Sequence, residues 1–180
     1  FIYIRDESSM AMTITEKILA RAAGKNSIIP GEIITAKIDV AMAHDATSED
    51  VIKIVENDFK GRIAEKLKIV VTPDHYVPNK DIPSAILYQN LMKFCERHNL
   101  QHVYPLGENY GICHVMLPQE GHILPGQVIA GADSHTCTYG AFGAFATGIG
   151  STELGNVIAT GELWFKIPES HKFEIKGKMS

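Results

Sequence analysis

Apolar residues recur three and four positions apart in four segments of the chain, a spacing that is typical of amphipathic helices. The predicted helices cover residues 14–23, 48–59, 83–98 and 151–165. Shorter apolar or alternating runs predict strands at 67–72, 102–106, 111–117, 128–132 and 171–176. Because strands and helices alternate along the chain, the pattern indicates an α/β protein with three layers, a sheet between two layers of helices.

The first helix has a clear predicted start. Thr13 and Glu16 stand three residues apart, as in a capping box, and Gly24 follows the last helical residue. We therefore expect the folded domain to cover residues 12–180. Residues 1–11 differ in character from the rest of the chain and are interpreted as a leader, either a remnant of cloning or a native extension.

Composition excludes several classes of function. The 180 residues are 45% hydrophobic and 21% charged, which is ordinary for a globular domain. A net charge of −4 and a pI near 6.1 give no electrostatic footprint for nucleic acid or for anionic lipid, and no apolar run reaches the ~20 residues that span a bilayer. Three cysteines without a CxxC spacing argue against a disulfide framework and predict a cytoplasmic location.

The candidate chemistry lies directly after the predicted strand 128–132. Asp133 and His135 come first, and four glycines at 140, 143, 148 and 150 precede the last helix. Open α/β sheets place their active sites at the carboxyl ends of strands. A carboxylate beside an imidazole fixes the tautomer of the histidine and tunes its proton affinity. The glycine spacing matches no phosphate-binding motif, so we expect these glycines to allow close packing of the loop and the helix against the active site.

Two further histidines have candidate roles. Asp74 and His75 follow the predicted strand 67–72 and lie between Pro73 and Pro78, which stiffen the loop. His114 lies inside an apolar run. Taken alone, the first pair also fits an ordinary turn, and His114 also fits a buried structural histidine.

Four segments, in order and spacing, resemble the aconitase superfamily and, within it, the large subunits of 3-isopropylmalate dehydratases and homoaconitases. They are VAMAHDATSEDV at 40–51, VVTPDHYVPNKD at 70–81, GICHVMLPQEGHILPG at 111–126, and the long run GADSHTCTYGAFGAFATGIGSTELGNVIATGELWF from 131. The resemblance covers residues 12–180 and implies an aconitase-like α/β/α domain. It also implies that the chain is the N-terminal portion of a larger, multi-domain subunit.

The resemblance implies roles for five residues. His75, supported by Asp74, would protonate the departing hydroxyl. His114 would pair with Asp133, and His135 would complete the pocket. We therefore expect these five side chains to converge on one concave surface.

Two more residues would touch the substrate in the resembled family. Ser134 matches a residue that contacts the substrate through its hydroxyl or its backbone. His44 falls where family members carry Gln or His near the substrate carboxylates.

The family also implies a cofactor and a partner. Its members are hydro-lyases that use a 4Fe-4S cluster, and three cysteine thiolates hold the cluster. Cys95, Cys113 and Cys137 do not match those positions, so the ligands are expected beyond residue 180. The partner is a small subunit with a swivelling domain, and the substrate is a small hydroxy acid. For this branch the implied reaction isomerises 2-isopropylmalate to 3-isopropylmalate in leucine biosynthesis.

Three alternatives remain open from the sequence. The first is a homoaconitase or aconitase-type dehydratase that acts on homocitrate or citrate. The second is a mononuclear metal hydrolase with His75, His114, Asp133 and His135 as ligands, since His and Asp are common metal ligands. The third is a catalytically inert fragment that serves as a scaffold, and we expect the 180 residues alone to be inactive and to bind no intact cluster.

Overall fold

A computed structural model of the chain describes residues 12–107 and 109–178. The predicted leader, residues 1–11, lies outside the described residues. The α-helices are α1 Ile14–Ala22, α2 Ser48–Lys53, α3 Ile82–Arg97, α4 Cys113–Gln119 and α5 Ser151–Thr160. The strands are β1 Ile33–Lys37, β2 Val40–Ala43, β3 Lys68–Val71, β4 His102–Val103, β5 Val128–Gly131, β6 Phe145–Gly148 and β7 Glu162–Lys166. None of the described helices combines the length and the apolar composition needed to cross a membrane.

Five strands form a parallel sheet in the order β4-β3-β2-β5-β6. The central strand β2 pairs with β3 on one side, where Ala43 lies opposite Val71, and with β5 on the other, where Met42 lies opposite Gly131. β1 and β7 form a separate antiparallel pair. All five parallel strands therefore end at one edge of the sheet, and the candidate residues stand just beyond that edge.

The two faces of the sheet are both covered. Alternate strand residues such as Ala41 and Ala130 pack in a core with α1, α2, α3 and α5. The residues between them, such as Met42 and Ile129, pack in a second core with α4 and Tyr139. This arrangement confirms the predicted α/β fold, because side chains of successive strand residues point to opposite faces and both sets are buried.

The first three predicted helices are confirmed. Thr13 and Glu16 make both hydrogen bonds of the capping box at the start of α1. The predicted helix 48–59 consists of α2 followed by a π-helical turn, Ile54–Asp58. Thr47 stands at its N-cap, but the hydroxyl makes no capping hydrogen bond.

The predicted strand 111–117 is wrong, since this segment forms α4. Its buried residues are Cys113, Met116 and Leu117, whereas Ile112 and Val115 are exposed. Burial at i, i+3 and i+4 is helical, but a short apolar run does not by itself distinguish a strand from a helix.

The predicted helix 151–165 is too long. α5 ends at Thr160 because Gly161 takes a left-handed conformation with φ 77°, a common helix stop. The residues after it form β7, which pairs with β1. The segment 171–176, predicted as a strand from its alternation, has no strand structure and is exposed on all sides.

The sequence also missed three strands and overestimated one. β1, β2 and β6 were not among the predicted strands, and β4 is two residues long rather than five. β2 is buried at every position, so it lacks the alternation of a half-exposed strand.

Candidate active site

The candidate residues lie at the carboxyl edge of the parallel sheet. His44 follows β2, Asp74 and His75 follow β3, and Asp133 follows β5. These three strands are neighbours. Their ends therefore bring together side chains that are distant in the sequence, as the hydrogen bond between His44 and the β5 end illustrates.

Asp133 is the common hydrogen-bond acceptor of the site. Its Oδ1 accepts from the backbone N–H of His135 at 2.6 Å and lies 3.0 Å from His114 Nε2. Its Oδ2 lies 3.2 Å from His75 Nε2, and His135 Nδ1 is 3.4 Å from Oδ1. With Asp74, these residues form one continuous network, so the five predicted side chains lie together. Their catalytic roles stay predictions.

Asp133 is held ionised despite being buried. Only 8% of its side chain is exposed. Burial raises the pKa of Asp133, but the His135 amide and the His114 imidazole outweigh it, and the pKa lies below its usual range. A carboxylate in this state accepts hydrogen bonds and does not donate them.

His114 has only one nitrogen with a described partner. Nε2 faces Asp133, whereas Nδ1 is buried without a hydrogen-bond partner among the described residues. A buried N–H without an acceptor is costly. The proton of neutral His114 therefore sits on Nε2, where it donates to Asp133.

The Asp74–His75 pair has the opposite arrangement. Asp74 Oδ1 lies 2.7 Å from His75 Nδ1, and its Oδ2 accepts the backbone N–H of Cys113 at the start of α4. Asp74 thus places a proton on Nδ1 and anchors the ring to the helix. Nε2 of His75 is the nitrogen left to exchange a proton, and the side chain is 35% exposed, which allows a ligand to reach it.

His44 packs against the ring of His75. The two rings stack with centroids 3.9 Å apart and planes 11° from parallel. His44 is 2% exposed; its Nε2 lies 2.9 Å from the Ala132 carbonyl and its Nδ1 accepts from the Ala46 amide. Burial lowers the pKa of His44, as does the neighbouring His75. Both ring nitrogens are engaged with the protein, which favours a supporting role; its predicted contact with substrate stays a prediction.

A concavity of about 490 Å³ opens beside Asp133. Ser134 and Cys137 line one side, and residues 147–150 line the other. Gly148 is essential to its shape because a Cβ there would lie 2.5 Å from the Asp133 carbonyl oxygen. Close packing by a glycine, expected from the sequence, is confirmed here; at Gly140 a Cβ would meet nothing within 4 Å.

The sequence profile of the Aconitase family (aconitate hydratase) matches residues 16–180. The chain belongs to the aconitase family.

Several relatives in this family share about half of their matched residues with the chain. The 3-isopropylmalate dehydratase large subunit of Desulfitobacterium hafniense is 52% identical over 168 residues, 93% of this chain and 40% of the relative. Those of Heliobacterium modesticaldum and Aquifex aeolicus are 51% and 49% identical over 94% of the chain, which covers 40% and 39% of their lengths. The chain thus spans about two fifths of the relatives that it matches.

The cysteines of this aconitase-family chain do not form a cluster site within the described residues. Cys95 and Cys113 are buried, Cys137 is exposed, and none belongs to a group of potential metal ligands. Burial raises the pKa of Cys95 to about 12 and also raises that of Cys113. Iron–sulfur clusters need thiolates, so the residues present do not fit the cluster.

Two groups of potential ligands without cysteine do occur. His114, Asp133 and His135 present atoms within 4.8 Å of one another, as do His75 and its neighbours His44, Asp45 and Asp74. Of the four ligands named for the metal-hydrolase alternative, His75 therefore lies in one group and the other three lie in the second.

Sequence reasoning missed two features of this site. It paired Asp133 with His114 and not with His75, because the neighbouring positions of β3 and β5 around β2 were not predicted. Asp45 is also missing from the predicted site residues, since an Asp near Thr47 and Ser48 fits a helix start equally well. In the structure, the Asp45 carboxylate accepts hydrogen bonds from the loop that carries His75.

Proposed function

We propose that this chain acts within the large subunit of a 3-isopropylmalate dehydratase. The single observation that carries the proposal is the Asp133 carboxylate, which three histidines share: His75, His114 and His135. Of these, His75 is also supported by Asp74. Relatives with about half of their matched residues identical bear this enzyme's name. The reaction class is dehydration followed by rehydration of a small hydroxy acid.

In this proposal His75 carries the proton. Asp74 holds the Nδ1 proton, so the proton delivered to the leaving hydroxyl comes from Nε2. Asp133 Oδ2 lies 3.2 Å from the same nitrogen and accepts a hydrogen bond from it when Nε2 carries the proton. His114, with its proton on Nε2, holds the second oxygen of Asp133 in place.

The substrate carboxylates belong in the concavity beside Asp133. Ser134 lines this space and is exposed, with its hydroxyl 3.2 Å from His135 Nδ1, and His135 is 78% exposed, so a ligand can reach both. The start of α5 borders the same space, and backbone N–H groups at a helix N-terminus favour anions. We propose Ser134 as a substrate contact and His135 as the residue that closes the pocket.

The proposal also requires groups that these residues do not supply. The 4Fe-4S cluster takes its cysteine ligands from outside the 180 residues, and a small subunit completes the site, as the name of the relatives implies for those proteins. Free cysteines favour the cytoplasm. Recovery of the protein from a periplasmic or secreted fraction would contradict that location.

The test is an isomerisation assay of the large subunit that contains this sequence, assembled anaerobically with its small subunit and iron. Conversion of 2-isopropylmalate with kcat/KM at least tenfold above homocitrate supports the proposal. A preference for homocitrate or citrate would favour the homoaconitase alternative. Hydrolase activity with one tightly bound zinc per chain and no iron–sulfur absorbance would overturn the dehydratase assignment.

A further inference from the structure

Asp45 is a buried carboxylate that contacts the loop bearing His75. It begins the short turn Asp45–Thr47 after β2 and is 0% exposed. Its Oδ1 accepts the backbone N–H of His75 at 3.0 Å, and its Oδ2 accepts that of Tyr76 at 2.7 Å. Within 12–107 and 109–178, no lysine or arginine lies within ion-pair distance of it.

These two hydrogen bonds explain how a buried carboxylate without a cation is tolerated. Burying an ionised group is unfavourable unless hydrogen bonds satisfy it, and bonds from N–H groups to a carboxylate are among the stronger ones. The carboxylate is not needed to close its own turn. Ser48 Oγ donates to the Asp45 carbonyl, and His44 Nδ1 accepts the Ala46 amide. Both described bonds of the Asp45 carboxylate therefore go to the loop about 30 residues away.

His44, the residue before Asp45, holds the same loop by stacking on the ring of His75. His44 stacks on His75 at 3.9 Å and is itself tied to the Ala132 carbonyl, one residue before Asp133. The turn after β2 thus fixes the backbone of His75 through Asp45 and its ring through His44. Since His75 Nε2 must stay near Asp133 while Nδ1 stays near Asp74, a shift of its backbone would disturb both contacts.

We propose that Asp45 is a positioning residue for His75. Its carboxylate holds the two successive amides of the loop so that the imidazole presents Nε2 to the substrate. The inference rests on the proposed function, in which His75 supplies the proton. Asp45 itself touches neither the substrate nor the reacting atoms.

The test compares Asp45→Asn with Asp39→Asn. Asparagine keeps the shape of Asp45 but has one acceptor oxygen, so its NH2 group faces one of the two backbone donors. Asp39 is the matched control at the opposite end of β2. Its carboxylate also accepts a backbone N–H, from Val128 at 2.8 Å, as well as a hydrogen bond from Arg21, and it lies away from the site.

Two measurements are made on each variant. Amide hydrogen exchange of His75 and Tyr76 is followed by NMR in the 180-residue chain, together with thermal unfolding. The kcat and KM are measured with 2-isopropylmalate in the assembled enzyme. For Asp45→Asn we expect at least one of the two amides to exchange about tenfold faster, because it has lost its acceptor. We expect kcat to fall about 10–100-fold, the usual effect of losing a residue that orients a catalytic group, with KM within about twofold.

Asp39→Asn should lower the unfolding temperature by less, because its side chain is 38% exposed and pairs with an exposed Arg21, and it should leave both the amides and kcat unchanged. Unchanged exchange at both amides in Asp45→Asn would overturn the positioning role. So would a wild-type kcat, or losses of activity that are equal in the two variants. If the assembled wild-type enzyme does not isomerise 2-isopropylmalate, the proposed function fails, and the exchange data alone decide whether Asp45 holds the loop.

Discussion

Substitution of Gly148 by alanine should distort the site because the new Cβ would come too close to the backbone of Asp133. The new Cβ would lie 2.5 Å from the Asp133 carbonyl oxygen and 3.2 Å from Ser134 Cα. Real Cβ atoms essentially never come closer than 3.0 Å, so the Asp133 backbone must yield by at least about 0.5 Å. That carbonyl is not free to move, because it accepts hydrogen bonds from the Thr136 hydroxyl at 2.6 Å and the Thr136 amide at 3.2 Å.

The size of the effect depends on two opposing contributions. Overpacking of a close contact typically costs about 1–3 kcal/mol. Replacing glycine by alanine also restricts the unfolded chain and stabilises by about 0.4–1 kcal/mol where the backbone permits it. We therefore expect Gly148→Ala to lose about 1–2 kcal/mol of unfolding free energy. If the strain is relieved by moving Asp133, kcat should fall, though by less than the roughly 10²-fold that a misplacement of about 1 Å near a reacting group can cost.

Gly140→Ala is the control, in the short 3-10 helix Thr136–Phe142 that precedes β6. A Cβ at this position meets nothing within 4 Å, and the backbone has no positive φ, so only the unfolded-state contribution remains. This variant should be neutral or stabilised by less than about 1 kcal/mol. Urea unfolding of both variants and kcat in the assembled enzyme check the prediction. Equal stability and equal kcat in the two variants would refute the argument that Gly148 is required by the Asp133 carbonyl.

In the assembled enzyme, His75→Ala should lower kcat by about 10²–10⁴-fold with little change in KM, because a general acid acts in the transition state. Substitution of the exposed His171 by alanine is the control, and a loss confined to KM in His75→Ala would show that His75 only binds substrate. Asp133→Asn should have a lower free energy of unfolding than wild type at about pH 6. This difference should shrink as the pH falls from about 4 through the depressed pKa of Asp133, because the unfolded wild-type chain binds that proton first. Urea titrations that show the same difference at every pH would contradict this. In the native chain a thiol reagent should modify one cysteine, exposed Cys137, and all three after denaturation; rapid reaction of two or three native thiols would show that the burial is wrong.

The sequence predicted which side chains lie together better than it predicted the elements that carry them; the catalytic roles stay predictions. Asp74 with His75 and Asp133 with His135 stand directly after apolar runs, and in a parallel sheet that local pattern places them at one edge whatever the strand order. α4 was mistaken for a strand because a short apolar run suits either structure until one knows which side is buried. β7 was merged with α5 because the stop at Gly161 depends on a single glycine.

The features that could not be predicted depend on strand order. The contact of Asp133 with His75 requires β3 and β5 to flank β2, and no local pattern specifies which strands are neighbours. The same holds for Asp45, whose carboxylate meets an amide 30 residues away. The sequence around Asp45 resembles a helix start, so only the tertiary structure shows that its carboxylate binds the His75 loop and does not cap a helix.

The strand order also dictates when the site can form as the chain is made. β2, β3 and β4 are neighbours in space and in sequence, so this half of the sheet can assemble early with α2 and α3. β5 joins β2 only after nearly 90 further residues, and distant pairings of this kind are slow. Asp74 and His75 are therefore made before Asp133 is available, and during that interval the loop after β3 has Asp45 and His44 to hold it but not Asp133.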